Sequence, residues 1–497
     1  MRQDRAPHFL ALLILILATC SAVHTSLNRP FWFDEIGTLR LAELPPGPQL
    51  WQAMIGGFEF NPPLAYVVTY ASESLLGRGH FTSRLPFLLA GLGTLCFLFI
   101  IQAVQRNPWA GVWTMLFFIN TRALAYFSEA RAYSLVLFGA TSALYFWHCT
   151  KSSSPWRYVG IFLSLSIALL SHMWAVVLIP CFLIAILFDS YKSKLIDTKA
   201  LLAVLATSVI TLSYGPVVKA SKGVTFDNIV YHAPLYLAIL GVIGNILICF
   251  IALLFLWVAS DILLQSRIKT KITANVNRQT ALATCFLFAP VVIFSITEVM
   301  RSASLTRYAL IATIGASILM GCFFNSLFQR SNKVMQAVFL ALPIFLFSFH
   351  SYRQAKELTQ QSNQGPSFQA ILSQKQQSAP IVFASGLDFL PLHFYAKPEL
   401  AKDFLFVAEP SQSIKYTGSD GVDSALRFGS SYMHLNGNLV ALSDLVSRKT
   451  PFWLLRSNHE MTWIEKALVH AGFQIQTPSE SQSNLVLVQP LQRKPNL

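Results

Sequence analysis

Long apolar runs alternate with short polar gaps over the first 350 residues of the chain. Eleven of these runs approach the ~20 residues that a helix needs to cross a ~30 Å hydrocarbon layer. They cover approximately residues 8–23, 83–104, 108–124, 132–149, 157–170, 174–188, 199–214, 234–258, 280–296, 308–325 and 333–350. The pattern therefore predicts an all-α domain with about eleven transmembrane helices.

The gap between the first two runs, residues 24–82, is far longer than a helix connection needs. Its apolar stretch Leu64 to Leu76 is too short and too interrupted to cross a membrane. We predict that this stretch and residues 36–54 form helices along the membrane interface, with Trp51 and Tyr66 as aromatic anchors.

The last 147 residues have a different pattern. Short β-type runs occur at residues 380–385, 404–408, 451–455 and 484–488. A helical pattern from Thr462 ends at Gly472, between the last two runs. Strands that alternate with helices predict a small α/β domain. The expected division is therefore a membrane domain at 1–350 and a soluble domain at 351–497.

The composition excludes a soluble enzyme. Apolar residues make up 54% of the chain and charged residues only 12%, where soluble domains carry roughly 25% charged residues. The net charge of +14 could suggest a nucleic-acid binder, but the basic residues lie mostly in the short gaps and form no contiguous stripe. We therefore interpret them as topology signals of a multi-pass membrane protein.

The charge of the gaps predicts the orientation of the helices. With the N-terminus inside, the inner gaps carry a net +10 and the outer gaps before residue 350 carry +2. The positive-inside rule selects this arrangement, and eleven spans then place the C-terminal domain outside the cytoplasm. The first run is also compatible with a secretory signal, which would leave the orientation of the later spans unchanged.

The seven cysteines all lie within apolar segments, and no two have the close spacing of a zinc site. We expect buried thiols that form neither disulfides nor a metal cluster.

Asp34 and Glu35 follow three aromatic residues in the first outer gap. The aromatic residues would hold this acidic pair at the membrane interface, where a carboxylate can have a raised pKa and act as a general base. The alternative is structural, because acidic residues also favour the start of a helix. For the pair taken alone, both interpretations stay open.

The other outer gaps also carry polar groups between apolar spans. Glu129 and Arg131 lie in the second outer gap, where an ion pair is the structural alternative to a binding role. Arg301 and Arg307 lie in a later gap, and guanidinium groups at the lipid boundary suit a phosphate, although lipid headgroups would also attract them. A lone His172 is more typical of a helix end than of a metal ligand.

These residues occur in an ordered set of short motifs. The set comprises Phe31-Trp32-Phe33-Asp34-Glu35, Asn61-Pro62-Pro63-Leu64, Arg84-Leu85-Pro86, Ser128-Glu129-Ala130-Arg131-Ala132-Tyr133, Ser171-His172-Met173-Trp174 and Arg307-Tyr308. In order and in shared outer location, it resembles the GT-C superfamily of membrane glycosyltransferases, in the branch of protein O-mannosyltransferases and the lipid A aminoarabinose transferase. The resemblance covers roughly residues 28–325.

The resemblance implies an enzyme that takes a hexose or pentose from a polyprenyl phosphate carrier and passes it to an acceptor outside the cytoplasm. Asp34 matches the acid that would deprotonate the acceptor hydroxyl, and Glu35 completes the pair. Glu129 matches an acid that binds sugar hydroxyls or a metal. Arg131 and Arg307 match phosphate-binding positions.

Tyr308, His172 and Asn61 lie in the motifs of the resemblance and, with Arg301 from the set of outer arginines, complete the predicted substrate-binding residues. The family uses a divalent metal variably, and Met173 intervenes between His172 and the next aromatic residue, so the resemblance names no metal ligand. Lipid, glycan and protein acceptors are all compatible with the motifs. The alternative function is a transporter or lipid-carrier flippase, which would favour charged or broken helices at mid-membrane and inverted repeats.

Overall fold

A computed structural model describes most of the chain. The described residues are 5–56, 61–150, 154–221, 233–263, 278–300, 304–363, 379–418, 420–457, 463–476 and 484–490. Fifteen described α-helices precede the first strand, and an α/β domain follows them. The fold class expected from the sequence is therefore confirmed.

The helices before the first strand are numbered α1 to α15. They are α1 Ala6–Asn28, α2 Phe33–Leu41, α3 Pro48–Ile55, α4 Leu64–Leu76, α5 His80–Ala103, α6 Pro108–Ile119, α7 Tyr133–Cys149, α8 Pro155–Ser171, α9 Leu178–Ser193, α10 Thr198–Ser213, α11 Gly215–Ser221, α12 Leu235–Leu263, α13 Arg278–Val299, α14 Ile311–Phe328 and α15 Lys333–Asn363. Each of the eleven predicted runs coincides with one of them.

Several predicted boundaries differ from the structure by about five residues, and that of α15 differs by more. Helix α6 ends at Ile119, five residues before its predicted end, because a 3-10 helix at Arg122–Ser128 begins the second outer gap. Helix α15 continues to Asn363, past the expected domain boundary at residue 350. Among the described helices, seven are long and apolar enough to cross a membrane, and α6, α8 and α10 are shorter apolar helices.

Glycines bring the helices of the bundle close together. A side chain at Gly315 of α14 would collide with the backbone of α13 at Ala283. A side chain at Gly321, two turns further along α14, would collide with Thr114 of α6. Small residues at such contacts are typical of membrane helices, because close backbone approach provides the packing that the hydrophobic effect does not supply in lipid.

The first outer gap contains three short helices, α2, α3 and α4, where the sequence predicted two. Tyr66 of α4 is 1% exposed and packs in a cluster with Phe87 of α5. The prediction of Tyr66 as a membrane anchor is therefore wrong, because its ring lies inside the protein. Trp51 of α3 is partly exposed, as an anchor requires.

The C-terminal domain contains a six-stranded mixed sheet. Its strands are β1 Ile381–Phe383, β2 Phe404–Val407, β3 Leu439–Val440, β4 Phe452–Leu455, β5 Phe473–Gln476 and β6 Leu485–Pro490. Their order is β3-β2-β1-β4-β6-β5, and the first four are parallel while β6 pairs antiparallel with both β4 and β5. All four predicted β-type runs coincide with strands, and the helix predicted from Thr462 is observed at Ile464–His470.

One face of this sheet packs against the first outer gap. Helix α16, Gly386–Tyr395, follows β1 and contacts α2. Phe31, Ile36 and Leu39 are buried in the same cluster as Phe383 of the sheet. The C-terminal domain therefore lies on the same side of the bundle as the first outer gap, as an odd number of spans requires.

Candidate functional site

Three outer segments meet at one end of the helical bundle. The first turn of α2 supplies Asp34, the segment between Ser128 and α7 supplies Glu129 and Arg131, and a 3-10 helix at Thr306–Ala309 supplies Arg307. These residues are separated by up to 273 positions in the sequence. The structure nevertheless brings Asp34, Arg131 and Arg307 into direct contact, and the Glu129 side chain pairs with Arg29.

The Asp34 carboxylate lies between two guanidinium groups. Its Oδ2 atom is 2.9 Å from Nη1 of Arg307 and 3.6 Å from Nη2 of Arg131. Arg131 also donates hydrogen bonds to the Asp34 carbonyl, at 3.1 Å, and to the Thr38 hydroxyl one turn further along α2. Arg131 is thus fixed to two turns of α2, and its charge is held beside Asp34.

These arginines determine the ionisation of Asp34. Burial acts to raise the pKa of Asp34, but Arg307 and Arg131 favour the carboxylate more strongly, and the pKa is lowered overall. The expectation of a raised pKa at this position is therefore wrong for the ion-paired site, because two cations outweigh the loss of hydration. Asp34 is ionised throughout the neutral pH range.

Glu35 occupies a different environment from its neighbour. It is fully buried and binds Arg84 of α5 through both oxygens, each at 2.8 Å. Its Oε1 atom also accepts a hydrogen bond from the backbone N–H of Ala130. A carboxylate with these partners has no face open to a substrate, so the structure favours a structural role and argues against the predicted catalytic one.

Glu129 has one engaged and one unengaged oxygen. Its Oε1 atom lies 3.3 Å from Nη1 of Arg29, whereas Oε2 is buried and has no hydrogen-bond partner within the part of the chain that is described. Burial raises the pKa of Glu129 to about 7, with Arg29 only partly opposing that effect. The group can therefore exchange a proton near neutral pH.

Aromatic residues form the wall beside Arg307. A narrow cavity is lined by Tyr133, His172, Trp174, Arg307 and Tyr308, among others. The His172 ring lies 5.1 Å from that of Tyr133 and 5.7 Å from that of Tyr308. Burial, and then the nearby Arg131, lowers the pKa of His172 to about 3, so the ring is neutral and offers no charge to a phosphate.

The substrate-binding roles of two further residues stay predictions. Arg301 lies outside the described residues. Asn61 is buried just before α4, and its substrate-binding role stays a prediction. In the described part of the chain, no group of three or more His, Cys, Asp or Glu side chains is arranged to hold a metal ion.

The sequence analysis gave no role to two arginines that organise the site. Arg84 is fully buried and also donates to the carbonyls of Ser26 and Arg29. Arg29 links the two outer gaps, because it also lies 3.6 Å from Glu35. A charged residue near the start of an apolar span requires a partner, and that signal could have identified Arg84. No comparable signal marks Arg29.

Of the comparisons with known proteins, the one with solved structures shows the fold. No protein-family model and no curated protein matches the sequence. The structure of ArnT from Cupriavidus metallidurans bound to undecaprenyl phosphate is similar, with a TM-score of 0.55, 13% identity and 97% of each chain covered. The apo structure of ArnT from the same organism gives a TM-score of 0.55 at 11% identity, with 98% of each chain covered.

A further similar structure is archaeal oligosaccharyltransferase AglB from Archaeoglobus fulgidus, in complex with an inhibitory peptide and a dolichol-phosphate. It has a TM-score of 0.44 and 10% identity over 89% of this chain and 69% of that chain. The two ArnT structures carry the fold assignment. This chain is a multi-pass membrane protein with the GT-C fold, as the sequence motifs indicated, and it is similar to both ArnT structures over nearly its whole length.

Proposed function

We propose that the protein is a glycosyltransferase that moves a sugar from a polyprenyl phosphate carrier to an acceptor outside the cytoplasm. The observation that carries this proposal is the Asp34 carboxylate held between Arg131 and Arg307 at one end of an ArnT-like bundle. One of the ArnT structures contains undecaprenyl phosphate. Such a ligand needs cations that bind its phosphate and an apolar surface that accommodates its polyprenyl tail.

The two arginines are proposed to bind the carrier phosphate. Guanidinium groups form strong, directed hydrogen bonds with phosphate oxygens where water is scarce. Arg307 is a quarter exposed at its side chain, whereas Arg131 is mostly buried. A phosphate would therefore reach Arg307 first. Tyr308 and His172 are proposed to contact the donor from the aromatic wall, and Arg301 and Asn61 are proposed to extend its site.

The proposed reaction is a displacement at the anomeric carbon. The acceptor hydroxyl oxygen bonds to that carbon, the bond from the carbon to the phosphate oxygen breaks, and the hydroxyl proton passes to Asp34. Negative charge then grows on the leaving phosphate, which competes with Asp34 for Arg307. Because the ion pair lowers the pKa of Asp34, its weakening makes the carboxylate more basic as the bond breaks.

Glu129 is proposed to contact the sugar hydroxyls. Its Oε2 atom is buried without a hydrogen-bond partner among the described residues, and such an atom gains free energy from any donor that reaches it. Glu35 has no direct part in this scheme. It is proposed instead to fix the α2 helix through Arg84.

The site is proposed to face away from the cytoplasm. The C-terminal domain packs on α2, so the site and the domain share one side of the membrane. The excess of basic residues in the gaps at the other end of the bundle supports a cytoplasmic location for that end.

The Asp34→Asn variant tests whether Asp34 is the proposed base. Asp34→Asn keeps the size of the side chain and removes its charge, and we expect transfer to fall at least a hundredfold. Glycolipids and glycoproteins would be compared by mass spectrometry in cells with wild-type protein, with the variant and with neither. Glu43→Gln is the matched control, because Glu43 lies in the same outer gap but contacts Arg40, Arg78 and His434 instead of the arginines of the site.

Two results would contradict the proposal in different ways. Undiminished transfer by Asp34→Asn, at equal membrane abundance, would remove the assigned base. Identical glycolipids and glycoproteins with and without the protein, together with measured transbilayer movement of the carrier, would favour the flippase.

A second experiment tests the phosphate site without turnover. Undecaprenyl phosphate should raise the thermal stability of the purified wild-type protein, since a ligand that binds only the folded state stabilises it. Arg307→Gln should lose most of this shift, whereas Arg78→Gln, at a guanidinium that is two-thirds exposed, should retain it.

A further inference from the structure

Helix α2 presents two faces to two different parts of the protein. Asp34 and Thr38 lie one turn apart and face Arg131 of the site. Ile36 and Leu39 are buried in one cluster with residues of the C-terminal domain, whose helix α16 contacts α2. A short helix packed in this way transmits any displacement of the domain to the Asp34 carboxylate, because its two faces belong to one rigid backbone.

A single tyrosine of the C-terminal domain ties the start of this helix to the bundle. The backbone N–H of Phe31 donates a 2.8 Å hydrogen bond to the hydroxyl of Tyr395, at the end of α16. The same hydroxyl lies 2.8 Å from Nε2 of His80, the first residue of α5. Tyr395 therefore bridges the segment that carries Asp34 to a membrane-spanning helix.

The ring of Phe31 occupies the centre of this junction. It packs edge-on against His80, with ring centroids 4.6 Å apart, and lies 6.2 Å from the ring of Phe394. The Arg84 guanidinium covers its other side at 4.6 Å. Arg84 is the partner of Glu35, so the contacts made by the C-terminal domain continue directly into the buried ion pair of the first turn of α2.

We infer that the C-terminal domain positions Asp34 for transfer and that Tyr395 is its positioning residue. This inference rests on the proposed function and assigns a task to a domain for which the sequence motifs indicated none. Tyr395 contacts neither Asp34 nor the two arginines that pair with it, Arg131 and Arg307. It acts through the backbone of Phe31, three residues before Asp34.

The test removes only the hydroxyl of Tyr395. We expect Tyr395→Phe to lower the initial rate of glycosylated product formation in membranes about fivefold, which is the effect of losing roughly 1 kcal/mol of orientation. The stability shift caused by undecaprenyl phosphate should stay unchanged, since Arg131 and Arg307 are intact. His80→Gln should slow transfer to a similar extent, and the double variant should be no slower than either, because both act through one bridge.

Tyr416→Phe is the matched control. Tyr416 lies in the same domain but packs on the other face of the sheet, against His470, and its hydroxyl makes no hydrogen bond within the described residues. We expect wild-type rates from this variant. A rate for Tyr395→Phe equal to that of the control, or fully additive effects of the Tyr395 and His80 changes, would overturn the inference.

Hydrogen exchange separates this inference from the proposed function. Amide exchange in the peptide covering residues 31–41 should become about fivefold faster in Tyr395→Phe and stay unchanged in Tyr416→Phe. If the wild-type protein transferred no sugar, the proposed function would fail, and the exchange rates would still show whether Tyr395 holds this segment. Unchanged exchange in Tyr395→Phe would exclude the positioning role.

Discussion

Two neighbouring acids of α2 have opposite environments. Successive residues of a helix point about 100° apart, so Asp34 faces the outer arginines while Glu35 points into the bundle towards Arg84. The sequence showed an acidic pair at the start of a helix but did not show which acid faced which partner. Arg84 and Glu35 are 49 positions apart, and only the folded chain brings them together.

We expect Glu35→Gln to destabilise the protein strongly. Removing one member of a buried ion pair leaves the other charge without compensation, at a cost of about 3–5 kcal/mol. Denaturation of the detergent-solubilised protein would measure the loss. Glu357→Gln serves as the control, since its pair with Arg353 is exposed and 3.9 Å long. Equal stability of the two variants would show that the Arg84 pair contributes little.

Glu129 should give the transfer reaction a pH dependence near neutrality. Burial raises the pKa of Glu129 to about 7, so the carboxyl group is largely protonated below that pH and ionised above it. We expect the transfer rate to rise between about pH 6 and about pH 8 if the ionised form binds the substrate. Asp34 contributes no step in this range, because its pKa is lowered.

The Glu129→Gln variant checks this assignment. Glutamine does not titrate, so the rise in rate near pH 7 should disappear, while any dependence from other groups persists. The measurement is the initial transfer rate across the pH range at constant protein abundance. A rise that persists unchanged in Glu129→Gln would assign the titration to another group.

At the scale of elements, the apolar pattern predicted the helices well but not their partners. All eleven runs became helices, since a backbone in lipid must satisfy its own hydrogen bonds. The apolar residues of α2 were expected to face the membrane interface, whereas Ile36 and Leu39 are buried in a cluster with residues of the C-terminal domain. An apolar side chain is buried equally well by lipid or by protein, so its sequence pattern does not distinguish the two.

Close packing between α13 and α14 should make Gly315 sensitive to substitution. A methyl group at Gly315 would collide with the backbone of α13, and such overpacking typically costs about 1–3 kcal/mol. We expect Gly315→Ala to lower the thermal stability measurably. Gly244→Ala of α12 is the control, because nothing lies within 4 Å of an added methyl group there. Comparable stability of both variants would contradict the close contact.

At the scale of the whole molecule, the expected topology has a direct test. A reporter enzyme that is active only outside the cytoplasm should be active when fused after Leu497 and inactive when inserted after Ser331, in the gap between α14 and α15. The physical basis is the excess of Lys and Arg in the short inner gaps, which resists translocation. Activity at Ser331 with none at Leu497 would reverse the proposed orientation.

The sequence by itself determined the membrane class, the eleven apolar helices and the α/β nature of the C-terminal domain. These properties follow from hydropathy, charge and short motifs, which are local. The tertiary structure decided which acid faces the site, which arginines neutralise it and where the C-terminal domain docks. Those outcomes depend on contacts between segments as far apart in the chain as Phe31 and Tyr395. The reason is that ion pairing and burial depend on the distance between groups in space and not on their separation in the sequence.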